Sequence, residues 1–82
     1  MYTPSNRLLA ELFGLTSAEA ALAADLLAGD ELREIAARRG RGINTVRTHL
    51  SGLMAKTNVN RQSELIRLIG GLPRLNDRND HG

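Results

Sequence analysis

GINTVRTHLSGLMAKTNV, residues 42–59, is the stretch on which the reading of this chain turns. Wound at 100° per residue, it gathers Ile43, Val46, Leu50, Leu53, Met54 and Thr57 into one sector of roughly 120°. That sector is a core face. Asn44, Thr48, Ser51 and Ala55 lie opposite it, with Arg47 and Lys56 as flanking cations and His49 at the edge of the core sector. An ordinary solvated helix face carries Glu and Lys in i, i+4 pairs. This stretch contains no acidic residue. Small side chains let a backbone approach a partner closely. Short hydroxyls and an amide can bond base edges or phosphate oxygens, and Arg can bind guanine through two parallel hydrogen bonds. The outward face therefore has the shape and chemistry of a major-groove reader.

The preceding segment agrees. Leu32 to Arg39 reads as a short helix with Leu32, Ile35 and Ala36 inward, and a turn containing Gly40 and Gly42 joins it to the quoted stretch. Two short helices across a tight Gly-containing turn form a helix-turn-helix, with the second helix in the groove. Three further helices complete an all-α chain. Pro4-Ser5 opens a lead-in helix carrying Leu8, Leu9, Leu12 and Phe13, which Gly14 ends. Thr16-Ser17-Ala18-Glu19 is a capping box that opens a second helix with Ala20, Leu22, Ala23, Leu26 and Leu27, stopping at Gly29. Asp30 is the expected cap of the third helix. Asn58-Val59-Asn60 makes a turn in which Asn60 caps a fifth helix through Leu65, Ile66, Leu68, Ile69 and Leu72, ended by Gly70-Gly71 and Pro73. The organisation is a lead-in helix over 1–14, a helix-turn-helix domain over 15–72, and a frayed polar tail over 73–82.

Composition supports one small helical domain. The 82 residues suffice for one core, 41% are apolar and 2% aromatic, and Ala, Leu, Arg and Glu favour helix over sheet. Without cysteine there is no disulfide frame and no thiolate metal site. No signal segment and no run of 18 apolar residues is present, so a cytoplasmic location is expected and no membrane partner. Net charge is only +2, but it is unevenly spread. Residues 33–61 carry seven Arg or Lys against one acid, whereas residues 1–32 carry one Arg against five acids. A confined basic patch is the footprint of a polyanion partner, although a merely solvated basic face reads the same on charge alone.

Specific residues point further. Leu15-Thr16, Glu19, Leu26-Leu27-Ala28-Gly29, Glu34-Ile35-Ala36, Thr45-Val46-Arg47-Thr48-His49-Leu50, Lys56, Val59 and Arg61 resemble the LuxR-type (GerE-type) helix-turn-helix domain of bacterial transcription regulators. The resemblance covers about residues 13–72, and the TVRTHL run followed by Lys56 and Val59 is its most specific part. It implies a four-helix fold that binds duplex DNA as a homodimer, commonly through the last helix and at the C-terminus of a longer regulator. It implies base contacts from Arg47, Thr48 and Ser51. It implies phosphate-backbone contacts from Arg33, Asn44, Thr45, Lys56 and Arg61, with Arg41 in the turn as an added one. Leu65, Ile66 and Ile69 would divide between the core and a partner helix. RNA polymerase is a further candidate partner.

The chain departs from the family pattern in the turn. Arg39-Gly40-Arg41-Gly42 stands where the family usually has Leu-Gly-Val/Ile-Ser. Gly for a Ser cap costs tenths of a kcal/mol, but burying an unpaired Arg costs far more, so Arg39 and Arg41 must reach solvent, an acid or a phosphate. Asn58 replaces a usual Gly and tolerates the left-handed conformation. No carboxylate pair sits with a His, Ser or Cys in catalytic spacing, metal ligands do not cluster, and Gly40-Arg41-Gly42 lacks the context of a phosphate loop. His49 reads as a partly buried, satisfied histidine, and Arg38 and Arg74 as solvated. The expected role is sequence-specific DNA binding, with no enzyme activity, cofactor, metal or small-molecule ligand. The competing reading is a helical interaction module that pairs its fifth helix with another regulator. An RNA-binding module is disfavoured because single-strand readers stack bases on aromatics, and this chain has only Tyr2 and Phe13.

Overall fold

The computed structural model describes residues 5–71, and within them the chain is all-α. Five helices follow in order: α1 Asn6–Phe13, α2 Ser17–Leu27, α3 Leu32–Arg38, α4 Ile43–Thr57 and α5 Gln62–Gly70. The expected contributions of Pro4, Leu72, Pro73 and the tail fall outside the described residues.

The second helix is the hub, packing against each of the other four. Its sequence explains why. SAEAALAADLL is apolar on nearly every side, and such a helix has to be enclosed. Ala20, Leu22, Ala23 and Leu26 are buried, and the many alanines let neighbouring helices come close. Its start is the expected capping box. The Glu19 N–H donates to Thr16 Oγ1 at 3.1 Å, and the Thr16 N–H donates to Glu19 Oε1 at 2.9 Å.

α1 begins at Ser5, whose hydroxyl accepts from the Leu8 N–H at 3.0 Å. Leu9 is wholly buried (0% exposed) and Phe13 packs against the core, while Leu12 is 47% exposed. The apolar run therefore feeds a narrower contact than its four hydrophobic residues suggest. Leu9 belongs to the same core cluster as Leu22, Ile35, Leu53 and Leu65. The boundary expected between residues 14 and 15 is thus not a boundary of packing.

Two capping expectations are corrected. Asp30 does not cap α3. Glu31 occupies the cap position, its N–H donating to Glu34 Oε1 at 2.8 Å, and the Asp30 carboxylate instead takes Arg38 at 2.7 Å. Asn60 does not cap α5 either. Arg61 holds the cap position without a side-chain bond, and the Asn60 N–H donates to Glu64 Oε1 at 3.0 Å. In both cases a Glu in the first turn reaches back to a backbone N–H and satisfies a donor the helix leaves open.

α3 and α4 pack together across the turn at 39–42, giving the helix-turn-helix arrangement. Gly40 sits at φ +65°, and the Arg41 N–H closes back on the Ala36 carbonyl at 2.9 Å. A side chain there would meet the left-handed penalty that Gly avoids. Asn58 plays the same part after α4, at φ 58°, with the Val59 N–H on the Met54 carbonyl at 3.1 Å. Val46, Leu50, Leu53 and Thr57 are buried along α4, and Ile43 and Met54 pack on the core. The one polar member is satisfied, because Thr57 Oγ1 donates to the Leu53 carbonyl at 2.8 Å.

Candidate nucleic-acid interface

The outward face of α4 consists of exposed residues: Asn44, Arg47, Thr48, Ser51 and Ala55. Arg47, Thr48 and Ser51, the expected base readers, share this face. Thr48 has a local commitment, since its hydroxyl donates to the Asn44 carbonyl at 3.0 Å. Its oxygen can still accept, so a contact from Thr48 would come from a base amino group or through its methyl. Thr45 is also exposed, but helical spacing puts it on the flank shared with Gly52 and His49. α4 starts at Gly42, which has no side chain with which to cap it, and its first turn holds no acid. The amides of the first turn are therefore open to an outside acceptor at the positive end of a 15-residue helix.

The cations sort into two groups. Arg39 makes two parallel bonds to Asp25, from Nε to Oδ2 at 2.7 Å and from Nη2 to Oδ1 at 3.1 Å. Arg38, read from the sequence as solvated, lies 2.7 Å from Asp30 and 3.3 Å from Asp25. Both arginines sit at the end of α3 and reach acids at the end of α2 and just beyond it. The arginine that replaces an apolar residue in the turn has thus found an acid. Of the three outcomes open to Arg39, solvent, an acid or a phosphate, the fold takes the acid.

Lys56 already has a partner within the chain. Its ammonium lies 2.7 Å from Glu19 Oε1, and the Glu19 side chain is only 10% exposed. An ammonium held by a nearly buried carboxylate is not a free phosphate contact. Glu19 thereby does two jobs, closing the cap of α2 and bridging to α4. It lies so close to α4 that a Cβ at Gly52 would overlap Glu19 Oε2. Gly52 is the residue that lets the carboxylate in. The pair was not visible in the sequence because 37 residues separate Glu19 from Lys56. One signal existed: a glycine inside an otherwise regular helix costs about 1 kcal/mol relative to Ala and so needs a packing reason.

Once these pairs are removed, Arg33, Arg41, Arg47, Arg61 and Arg67 remain without an ion-pair partner among the described residues. All five are exposed, and the first four fall in the basic middle third. Three of the five acids of the first third, Asp25, Asp30 and Glu19, are folded back onto Arg38, Arg39 and Lys56, so the free basic patch is smaller than its count. His49 is half-buried, as expected, and makes no protein hydrogen bond among the described residues.

On α5, Leu65 (0% exposed) and Ile69 (1%) are core residues of this chain. They are not available to a partner helix. Of the three residues expected to dimerise, only Ile66, half-buried, presents surface.

Burial alone would push the Glu19 carboxyl up. The hydrogen bonds from the Lys56 ammonium and the Thr16 N–H, with the attraction of the ammonium, outweigh it and hold the group below its ordinary value. Burial likewise opposes Asp25, and Arg39 followed by Arg38 overcomes it, again lowering the carboxyl. Both acids therefore bind protons less readily folded than unfolded. Their stabilisation is complete above unfolded-chain values of about 4 and is lost as pH falls through the lower folded values. Urea midpoints should hold steady from pH 7 to about 5 and drop below about 4. Glu19→Gln should make that drop shallower. An equally steep drop in the variant would remove Glu19 from the account.

No known family model, curated protein or solved structure matches the chain. Among the described residues no helix is long and apolar enough to cross a membrane.

Proposed function

We propose that this chain is a LuxR-type helix-turn-helix domain that binds duplex DNA, with α4 in the major groove. One observation carries the reading. The outward face of α4 is small, polar and free of acid, and the unpaired cations of the middle third lie on or around the helix-turn-helix. A solvated face has no need of that combination, whereas a groove reader needs all of it. Arg47 is the leading base reader, with Ser51 and Thr48 beside it. Arg33, Arg41 and Arg61 supply phosphate neutralisation, and the uncapped amides of α4 offer further donors to a phosphate oxygen. Binding is as a homodimer, with half-buried Ile66 and Leu68 as the apolar side chains that α5 leaves partly at the surface.

Selection from a random duplex pool at two salt concentrations tests this. A two-fold symmetric site should be enriched. Three phosphate-neutralising arginines imply a salt slope of about −3 per chain, doubled in a dimer. No enrichment and no binding at low salt would sink the DNA reading and leave the interaction module. Within the DNA reading, Arg47→Ala should weaken the selected site by about 1–3 kcal/mol and leave random DNA nearly unaffected. Equal losses on both would show that Arg47 touches phosphate rather than bases.

A further inference from the structure

A cleft of about 500 Å³ opens between the start of α1, α2, the end of α3 with its turn, and α4, on the flank of α4 away from the proposed base-reading face. Its origin is in the side chains. Ala18 and Ala21 present only methyl groups along one wall. Arg39 also lines it, with its guanidinium committed to Asp25 by two bonds. The floor is hydrocarbon from Leu22, Ile35 and Val46, core residues no more than 3% exposed. The polar residues that line it are Asn6, Ser17, Arg39, Arg41 and His49, with no acid among them. Arg41 has no ion-pair partner among the described residues, and His49 has no hydrogen bond there.

We propose that this cleft binds a small organic anion, a carboxylate carrying a compact aromatic or branched hydrocarbon group. Its volume lies within the usual range for small-molecule sites, and an apolar floor with a few converging polar groups is their common construction. The hydrocarbon would lie against the half-exposed Ala18 and Ala21 above the floor, and the carboxylate would meet the Arg41 guanidinium and an imidazole N–H of His49. A DNA phosphate satisfies the rim but has nothing to place on the floor. A neutral apolar ligand satisfies the floor but leaves the rim unanswered. The sequence contains no motif for such a site, because it is built from four separate segments.

The test uses the full chain without DNA, so its outcome is independent of the DNA reading. Backbone amide shifts are followed while benzoate, its neutral isostere benzamide, and inorganic phosphate are titrated separately. Benzoate should shift the amides of Ala18, Ala21, Val46 and His49 saturably, at a concentration at least about tenfold lower than benzamide, as loss of a charge-assisted hydrogen bond implies. Ala21→Leu, which fills the half-exposed wall, should abolish the shifts while leaving the melting temperature unchanged or higher. Arg41→Gln, at an exposed position, should weaken benzoate about tenfold without affecting the fold. The proposal is overturned if benzoate causes no saturable shift at these amides, if phosphate matches benzoate, or if benzamide matches it. Unchanged benzoate binding in Arg41→Gln overturns it as well, and that variant remains decisive should Ala21→Leu fail to fold.

Discussion

Leu9→Ala should destabilise the fold by about 2–5 kcal/mol and move its urea midpoint far down. Leu9 is wholly buried in the cluster shared by α2, α3, α4 and α5. Deleting a buried leucine to alanine costs about 2–5 kcal/mol, the transfer of the lost methyl groups plus the cavity left behind. A domain of this length holds only about 4–12 kcal/mol in total. The change therefore removes a large part of what keeps the chain folded, although it lies outside the helix-turn-helix itself. The measurement is a urea titration followed by far-ultraviolet circular dichroism. A cooperative loss at much lower urea shows α1 to be part of the domain. Leu12→Ala is the companion, since Leu12 is 47% exposed and one turn from Leu9 on the same helix; it should shift stability by less than about 0.5 kcal/mol. An unchanged midpoint in Leu9→Ala would restore α1 to a detachable lead-in.

Lys56→Met should destabilise the fold by about 2–3 kcal/mol and leave the salt slope of DNA binding untouched. The loss follows from the partner left behind. Breaking a fully buried pair by removing one member costs about 3–5 kcal/mol, because the other charge stays in a poor solvent. Here the value is lower, since the Lys56 side chain is 38% exposed and Glu19 keeps the Thr16 N–H. The destabilisation has a pH signature. Without the ammonium, desolvation dominates Glu19 and its carboxyl is no longer held down. The gap between the native chain and the variant should therefore be widest near neutral pH and close below about pH 4. A phosphate-binding lysine gives the opposite pair of results: stability unchanged, and a salt slope shallower by about one. Either of those would return Lys56 to the DNA contacts.

The element order was legible in the residues because local signals set it. The Thr16–Glu19 box, Gly14, Gly40 and Asn58 start or stop helices through bonds within a few residues of themselves. The faces of α4 were legible for a related reason: a 15-residue helix with a clean apolar sector has one way to bury it. Where two local signals competed, the reading failed. Asp30 and Asn60 are good cap residues by type, yet the first-turn glutamates Glu34 and Glu64 reach back to the backbone donors instead.

Everything carried by contacts distant along the chain waited for the tertiary structure. A basic third and an acidic third looked like separate regions. Folding brings Asp25, Asp30 and Glu19 against Arg38, Arg39 and Lys56, which decides the cations left for a polyanion. Leu65, Ile66 and Ile69 were equivalent by pattern, and only packing against α2 and α4 separated two core residues from one surface residue. Periodicity tells which side of a helix is apolar, a property of neighbours in sequence. Which charge meets which, and which apolar side chain is covered, depends on how helices far apart in the chain are brought together.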